Sequence, residues 1–239
     1  GKKSKLKSAP QAAKPTVRTI IRVLADASGI VYSIGHERKL PPSVLKKRIS
    51  AMLEDADAAA ASSERCAQSL KEYYDGEIGV IEKCVDLSVF RHTRVTDRDM
   101  DTFRDRFALA RRPIVVYTRD EMRAETILST IGLVRRLTAL VPNIIYFICG
   151  LIDDADSVHR GIAEAGLADS YRLVGTLSQR DVFAAYACAG IYLAPYDSRA
   201  SESELLEAMA MRCAIVCSST KAAGAPTIIQ PEWNSLVYE

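Results

Sequence analysis

The sequence predicts an α/β protein with a doubly wound parallel sheet, and three observations carry that prediction. Short β-branched runs alternate with helical stretches along most of the 239 residues. Nearly every pair of runs is separated by a helix long enough to return the chain to the start of the next strand, as parallel pairing requires. One run, NIIYFICG from Asn143 to Gly150, is so continuously apolar that both its faces must be covered.

The first 15 residues, GKKSKLKSAPQAAKP, read as a disordered basic tail, with Lys2, Lys3, Lys5, Lys7 and Lys14 and no acid among them. The formal charge of +2 is concentrated there. The remainder is net acidic, which excludes a nucleic-acid-binding body. Such a tail suits either a solvated terminus or an anionic membrane surface, at about 1 kcal/mol per lysine close to the surface. TIIRVLA (19–25) is a strand, and a loop holding Gly29, Gly35, Pro41 and Pro42 follows it. Ser43 caps a helix over VLKKRISAMLEDA, whose apolar Val44, Leu45, Ile49, Met52 and Leu53 keep helical spacing. ADAAAAS (56–62) is a short strand, SSERCAQSLKEYY a helix and EIGVIEK (77–83) another strand. This makes residues 16–84 a partial α/β domain.

Residues 85–110 read as an interdomain linker followed by a helix, whose apolar face is Met100, Phe103 and Phe107. A second α/β domain occupies 111–239. Its strands are RPIVVYT, NIIYFICG, YRLVG, GIYLAP and CAIVCSS. Its helices are MRAETILSTIGLVRRLTAL (about five turns), SVHRGIAEAG, RDVFAAYACAG (opened by a Ser178–Asp181 capping box) and SESELLEAMAM.

Several common chemistries are excluded. No G-x-G-x-x-G follows a strand, there is no G-x-x-x-x-G-K-[ST], and no G-x-S-x-G supplies a nucleophile elbow. Asp97, Asp99 and Asp101 are spaced like metal ligands, but Thr102 and Ala108 stand where a calcium loop needs Gly and Glu. Acids opening a helix are favoured by its dipole, so no metal and no cofactor is expected. The six cysteines (66, 84, 149, 188, 213, 217) lack a C-x-x-C pair and read as reduced thiols of a cytoplasmic protein.

Candidate ligand positions lie at strand-to-helix junctions, where open parallel sheets bind ligands. Arg119 ends one strand and Arg123 starts the next helix, a pair that suits a diphosphate or, equally, the neighbouring acids. Ser201 and Glu204 fit a capping box. Glu207 borders the buried face of its helix, where it would accept hydrogen bonds from vicinal hydroxyls or stand as a solvated acid.

From about residue 55 onward the wording resembles retaining GT-B glycosyltransferases, which use nucleotide sugars. ELLEAMAMRCAIVCSS is similar to that family's LLEAMA-x-G-x-PVVAS segment, and VIEKCVDLSVFR to its V-x-x-G-V-D-x-x-x-F linker. RPIVVYTRD, NIIYFICG and SYRLVGTLSQRDVFAAYACAG resemble its nucleotide-binding βα units, and WNSLVYE its N-G-L-L-V turn. The resemblance implies a GT-B-like architecture, with a Rossmann-like nucleotide-binding domain behind a partial Rossmann-like N-terminal domain. It implies a nucleotide-diphosphate sugar donor and an unidentified acceptor, with Arg119 and Arg123 on the diphosphate, Glu207 on the ribose, and Val174, Gly175 and Thr176 facing the base.

Departures from the family pattern are concentrated in one turn. Arg199 stands eight residues before Glu207, where the family carries the acid that grips the donor sugar, and Glu202 replaces a glycine. A carboxylate 4 Å from a unit negative charge costs roughly 4 kcal/mol at an effective dielectric of 20. The first domain is short and the helices that usually follow WNSLVYE are missing, so the chain reads as a fragment or as a member that has lost part of its acceptor domain. The leading expectation is a metal-independent glycosyltransferase. The alternatives are a non-catalytic binding or assembly module of the same fold and a nucleotide-sugar epimerase.

Overall fold

A computed structural model describes residues 30–33, 36–39, 43–44, 47, 50–51, 59–61, 64–71, 74–82, 84–195, 203–218 and 228–238. The basic tail, the strand expected over 19–25 and the turn holding Arg199, Ser201 and Glu202 lie outside these residues. The chain forms two compact units, Gly1–Lys83 and Cys84–Glu239.

In the first unit, β1 (Ile30–Ser33) and β2 (His36–Lys39) pair antiparallel, with Ile30 opposite Lys39. A loop was expected there. The strand-forming run Ile30–Val31–Tyr32 outweighs the surrounding glycines and prolines. β3 (Ala59–Ala61) and β4 (Ile78–Val80) pair parallel, with α1 (Glu64–Lys71) as the crossover between them. Ala61, Ala67 and Leu70 supply its buried positions.

The second unit opens with a capped helix, α2 (Asp97–Arg106). Thr96 accepts from the Asp99 N–H, and the Asp99 carboxylate accepts from the Thr96 N–H in return, a reciprocal capping box. Phe103 is buried against Phe107 and Phe147. The helix at the end of the expected linker is therefore part of the second unit.

Six strands follow: β5 (Ile114–Met122), β6 (Ile145–Ile152), β7 (Tyr171–Val174), β8 (Ile191–Ala194), β9 (Ala214–Ser218) and β10 (Ser235–Tyr238). All pair parallel, in the order β10-β9-β8-β5-β6-β7. Ile145 to Gly150 is buried throughout, as its unbroken apolar run requires. The helices between them are α3 (Ala124–Ser129), α4 (Ile131–Leu140), α5 (Ala155–Glu164), α6 (Gln179–Ala189) and α7 (Ser203–Ala210). Ser178 caps α6 by accepting from the Asp181 N–H, and Gly190 ends it at φ +68°, a conformation that favours glycine.

Elements of this unit also differ from expectation: WNSLVYE, read as a turn, carries β10. The single helix expected over 122–140 is two, because Thr130 Oγ1 donates to the Ile127 carbonyl at 2.6 Å and is also within 2.9 Å of Tyr171 Oη. And β5 does not stop at Thr118 but continues to Met122, which places Arg119 inside a strand rather than beyond its end. Among the described residues, no helix is long and apolar enough to cross a membrane.

Candidate functional site

The strand order fixes where a ligand can enter. From β5 the chain steps outward through β6 and β7, then returns to place β8 on the other side of β5. Helices on the two sides of such a reversal cover opposite faces, which opens a crevice at the carboxyl ends of the two strands. The ladder shows the parting directly. β5 pairs with β8 only at Val115 and Val116, whereas it pairs with β6 as far as Met122.

Three buried tyrosines and a threonine pack within this part of the unit. Thr118 Oγ1 lies 2.6 Å from Tyr186 Oη, and Tyr186 donates at 3.4 Å to Glu207 Oε2. Tyr192 donates to the Thr118 carbonyl at 3.1 Å, and Tyr146 to the Leu193 carbonyl at 3.0 Å. Burial holds the Tyr186 and Tyr192 hydroxyls well above their ordinary range, so both remain donors. Glu207, half-buried in the second turn of α7, is thus tied through Tyr186 to Thr118, the residue of β5 just before Arg119. Burial raises its carboxyl to about 7, the Glu204 charge adds to this, the Tyr186 hydrogen bond opposes it, and Asp120 adds a little more.

The capping box read for Ser201 and Glu204 reaches into the residues outside the description. Glu204 Oε2 is buried with no hydrogen-bond partner among the described residues. Glu204 and Glu207 thus stand one turn apart on α7, and the charges of both act on the Tyr186 hydroxyl.

Arg119 is positioned by an irregularity. Thr118 pairs with Cys149 and Glu121 with Leu151, so Arg119 and Asp120 together oppose Gly150 alone. That is a β-bulge, which bends the strand and re-aims its side chains. Arg123 is the N-cap residue of α3, with extended backbone (φ −84°, ψ 140°). The first amide of α3 is already occupied, because the Ala124 N–H donates to Asp153 Oδ1 at 2.8 Å.

The third element is the end of β7. Val174 is the last residue paired with β6, opposite Cys149, and Gly175 and Thr176 are exposed just beyond it. Two strand spacings, roughly 10 Å, separate this edge from β5. The Cys149 thiol, pushed by burial to about 11, contacts the Gly175 carbonyl at 3.8 Å. Arg119, Arg123, Val174, Gly175, Thr176 and Glu207 thus share the carboxyl edge of one sheet, while Arg199 and Ser201 lie outside the described residues. Sequence reasoning missed Gly150, Thr118 and Tyr186. A glycine closing an otherwise apolar strand was a readable sign of a bulge; the tyrosine carried no comparable sign.

Residues 116–239 match the family model described as Glycosyl transferases group 1. The chain belongs to that family. Among solved structures, this glycosyl transferase group 1 chain is similar to HepE of Anabaena in complex with UDP and glucose, at 15% identity and a TM-score of 0.65, over 83% of this chain and 54% of that one. It is similar to a glycosyltransferase of Rickettsia africae at 20% identity and a TM-score of 0.64, over 80% and 50% of the two chains. It is also similar to sucrose-phosphate synthase of Thermosynechococcus elongatus at 20% identity and a TM-score of 0.58, over 85% and 50%. The chain thus spans about half the length of these proteins, and the likeness is one of fold. No curated protein sequence matches it.

Proposed function

We propose that this chain carries the donor side of a retaining glycosyltransferase that moves a sugar from a nucleotide-diphosphate donor to an acceptor. The observation that carries the reading is the joint placement of Arg119 and Glu207 at the β5/β8 parting, one on the bulged strand and one on the helix after β8. Arg119 and Arg123 bind the diphosphate and stabilise the charge that develops on it as the glycosidic bond to the sugar breaks, so no metal is required for that step. Glu207 accepts hydrogen bonds from the ribose hydroxyls, and Val174, Gly175 and Thr176 line the place of the base. The complex of the Anabaena protein of like fold with UDP and glucose supports a nucleotide as the ligand.

One observation favours a second reading, a non-catalytic module with a degenerate donor site. The buried oxygen of Glu204 without a hydrogen-bond partner adds negative potential beside Glu207, and the sequence carries a further acid, Glu202, two residues before Glu204. Thermal unfolding with UDP, GDP, ADP and their sugars, beside a Glu207→Ala control, tests the site. A ligand at 100 times its dissociation constant stabilises the fold by about 2.7 kcal/mol. A stabilisation seen with one nucleotide and lost in Glu207→Ala is the expected result, and sugar release from the matching donor then separates enzyme from module. No stabilisation by any nucleotide would overturn the donor-site reading.

A further inference from the structure

Gly150 is the single residue that faces two across the β5–β6 ladder, and its backbone is at φ +141°, a region closed to side chains other than that of glycine. A Cβ placed there would overlap the Arg119 carbonyl oxygen, and it would come within 2.8 Å of the Arg119 carbonyl carbon and 2.9 Å of Met122 Cε. The obstacle is backbone, which cannot swing aside as the tip of a long side chain can. Bulges are rare between parallel strands and concentrate beside active sites. A glycine inside a strand commonly marks a close approach of another backbone. Here the approaching backbone is that of Arg119, the residue the donor-site reading places on the diphosphate.

We propose that Gly150 is a positioning residue for Arg119: only a residue without a side chain lets the bulge close, and the closed bulge sets Arg119 at the carboxyl edge of the sheet to receive a diphosphate. This rests on the donor-site reading. It assigns Gly150 no contact with ligand. Any side chain at 150 displaces the Arg119 peptide and, with it, the origin of the guanidinium. Deleting Asp120 acts from the other strand: it leaves Arg119 alone opposite Gly150, restores even pairing, and removes the bulge without introducing a clash.

The test measures UDP and uridine binding by calorimetry to the full chain, as native protein and as Arg119→Ala, Gly150→Ala, the double variant and the Asp120 deletion. Loss of a charge-assisted pair predicts about a 10- to 100-fold weaker UDP affinity in Arg119→Ala. Gly150→Ala and the deletion should each show a comparable loss, the double variant no more than Arg119→Ala alone, and uridine should bind all of them as it binds the native chain. A double variant weaker than either single one, or equal losses for uridine and UDP, would overturn the proposal. If Gly150→Ala does not fold, the deletion decides: UDP binding at native affinity without the bulge overturns it. If neither folds, the bulge serves the fold rather than Arg119, and the proposal falls. Native protein that binds no UDP instead removes the donor-site reading itself.

Discussion

Glu207 sits where its ionised form is costly, with burial and the Glu204 charge raising its carboxyl to about 7 from an ordinary 4.5. The folded chain therefore holds this proton more tightly than the unfolded chain does. Ionisation burdens the fold progressively as pH rises from about 4.5 to 7, and the burden is complete above 7. Glu207→Gln stays neutral at every pH. It should be more stable than the native chain at pH 8 by about 1 kcal/mol, a figure reduced for the half-exposed position of the group. The difference should close as pH falls toward 4.5. Urea unfolding at several pH values checks this, and a pH-independent difference would contradict it. At this scale the sequence was only partly legible. LLEAMA pointed to Glu207 through family likeness, but nothing local showed that Tyr186, 21 residues earlier, would reach it. A hydrogen bond across elements leaves no mark in spacing. Gly150 did leave one, because a backbone conformation available only to glycine restricts the residue type itself.

Among the elements, α2 shows how far periodicity reaches. The spacing of Met100, Phe103 and Phe107 predicted a helix over 97–110, of which Asp97–Arg106 forms, and the aspartates at its start were readable as helix-opening acids. Its packing was not readable, since helical spacing reports an apolar face and not the surface that covers it. The structure supplies that surface: Phe103, Phe107 and Phe147 form a cluster of three mutually contacting rings, the last on β6. Two ion pairs then join α2 to α6. Arg180 donates to Asp99 Oδ1, and Arg106 donates to Asp181 Oδ2 at 2.8 Å. Each acid also takes part in the hydrogen bonds that start its own helix, so the Thr96 hydroxyl and then Arg180 hold the Asp99 carboxyl well below the usual range. These pairs are exposed and orient the helices more than they stabilise them. The aromatic contact is the larger contribution. Phe103→Ala should cost about 3 to 5 kcal/mol in denaturant unfolding, as expected for an aromatic side chain removed from a core. A helix belonging to a free linker would lose almost nothing. The broken helix after β5 marks the other limit of pattern reading, because Thr130 ends α3 through a hydrogen bond to Tyr171, 41 residues away.

At the scale of the molecule, the alternation of strand and helix made the doubly wound sheet legible. Parallel pairing follows from it, because each helical crossover returns the chain to the same end of the sheet, whereas β10, in the stretch read as a turn, did not follow. Those rules also placed the ligand edge before any side chain did. The division of the chain was less legible, since composition changes little across residue 84, and the apolar face of α2 could have been covered from either side. Among the described residues, the buried cluster runs from Phe103 to Ile229, within the second unit. A unit whose core is complete within its own bounds should fold without its neighbour. Residues 84–239 produced alone should therefore unfold in a single cooperative transition, and the nucleotide that stabilises the full chain should stabilise them by a similar amount. Differential scanning calorimetry of both, with and without that nucleotide, measures this. Equal stabilisation would locate the whole of the nucleotide's binding energy in the second unit, where Arg119, Val174 and Glu207 lie. Stabilisation of the full chain alone would show that residues before Cys84 complete the site.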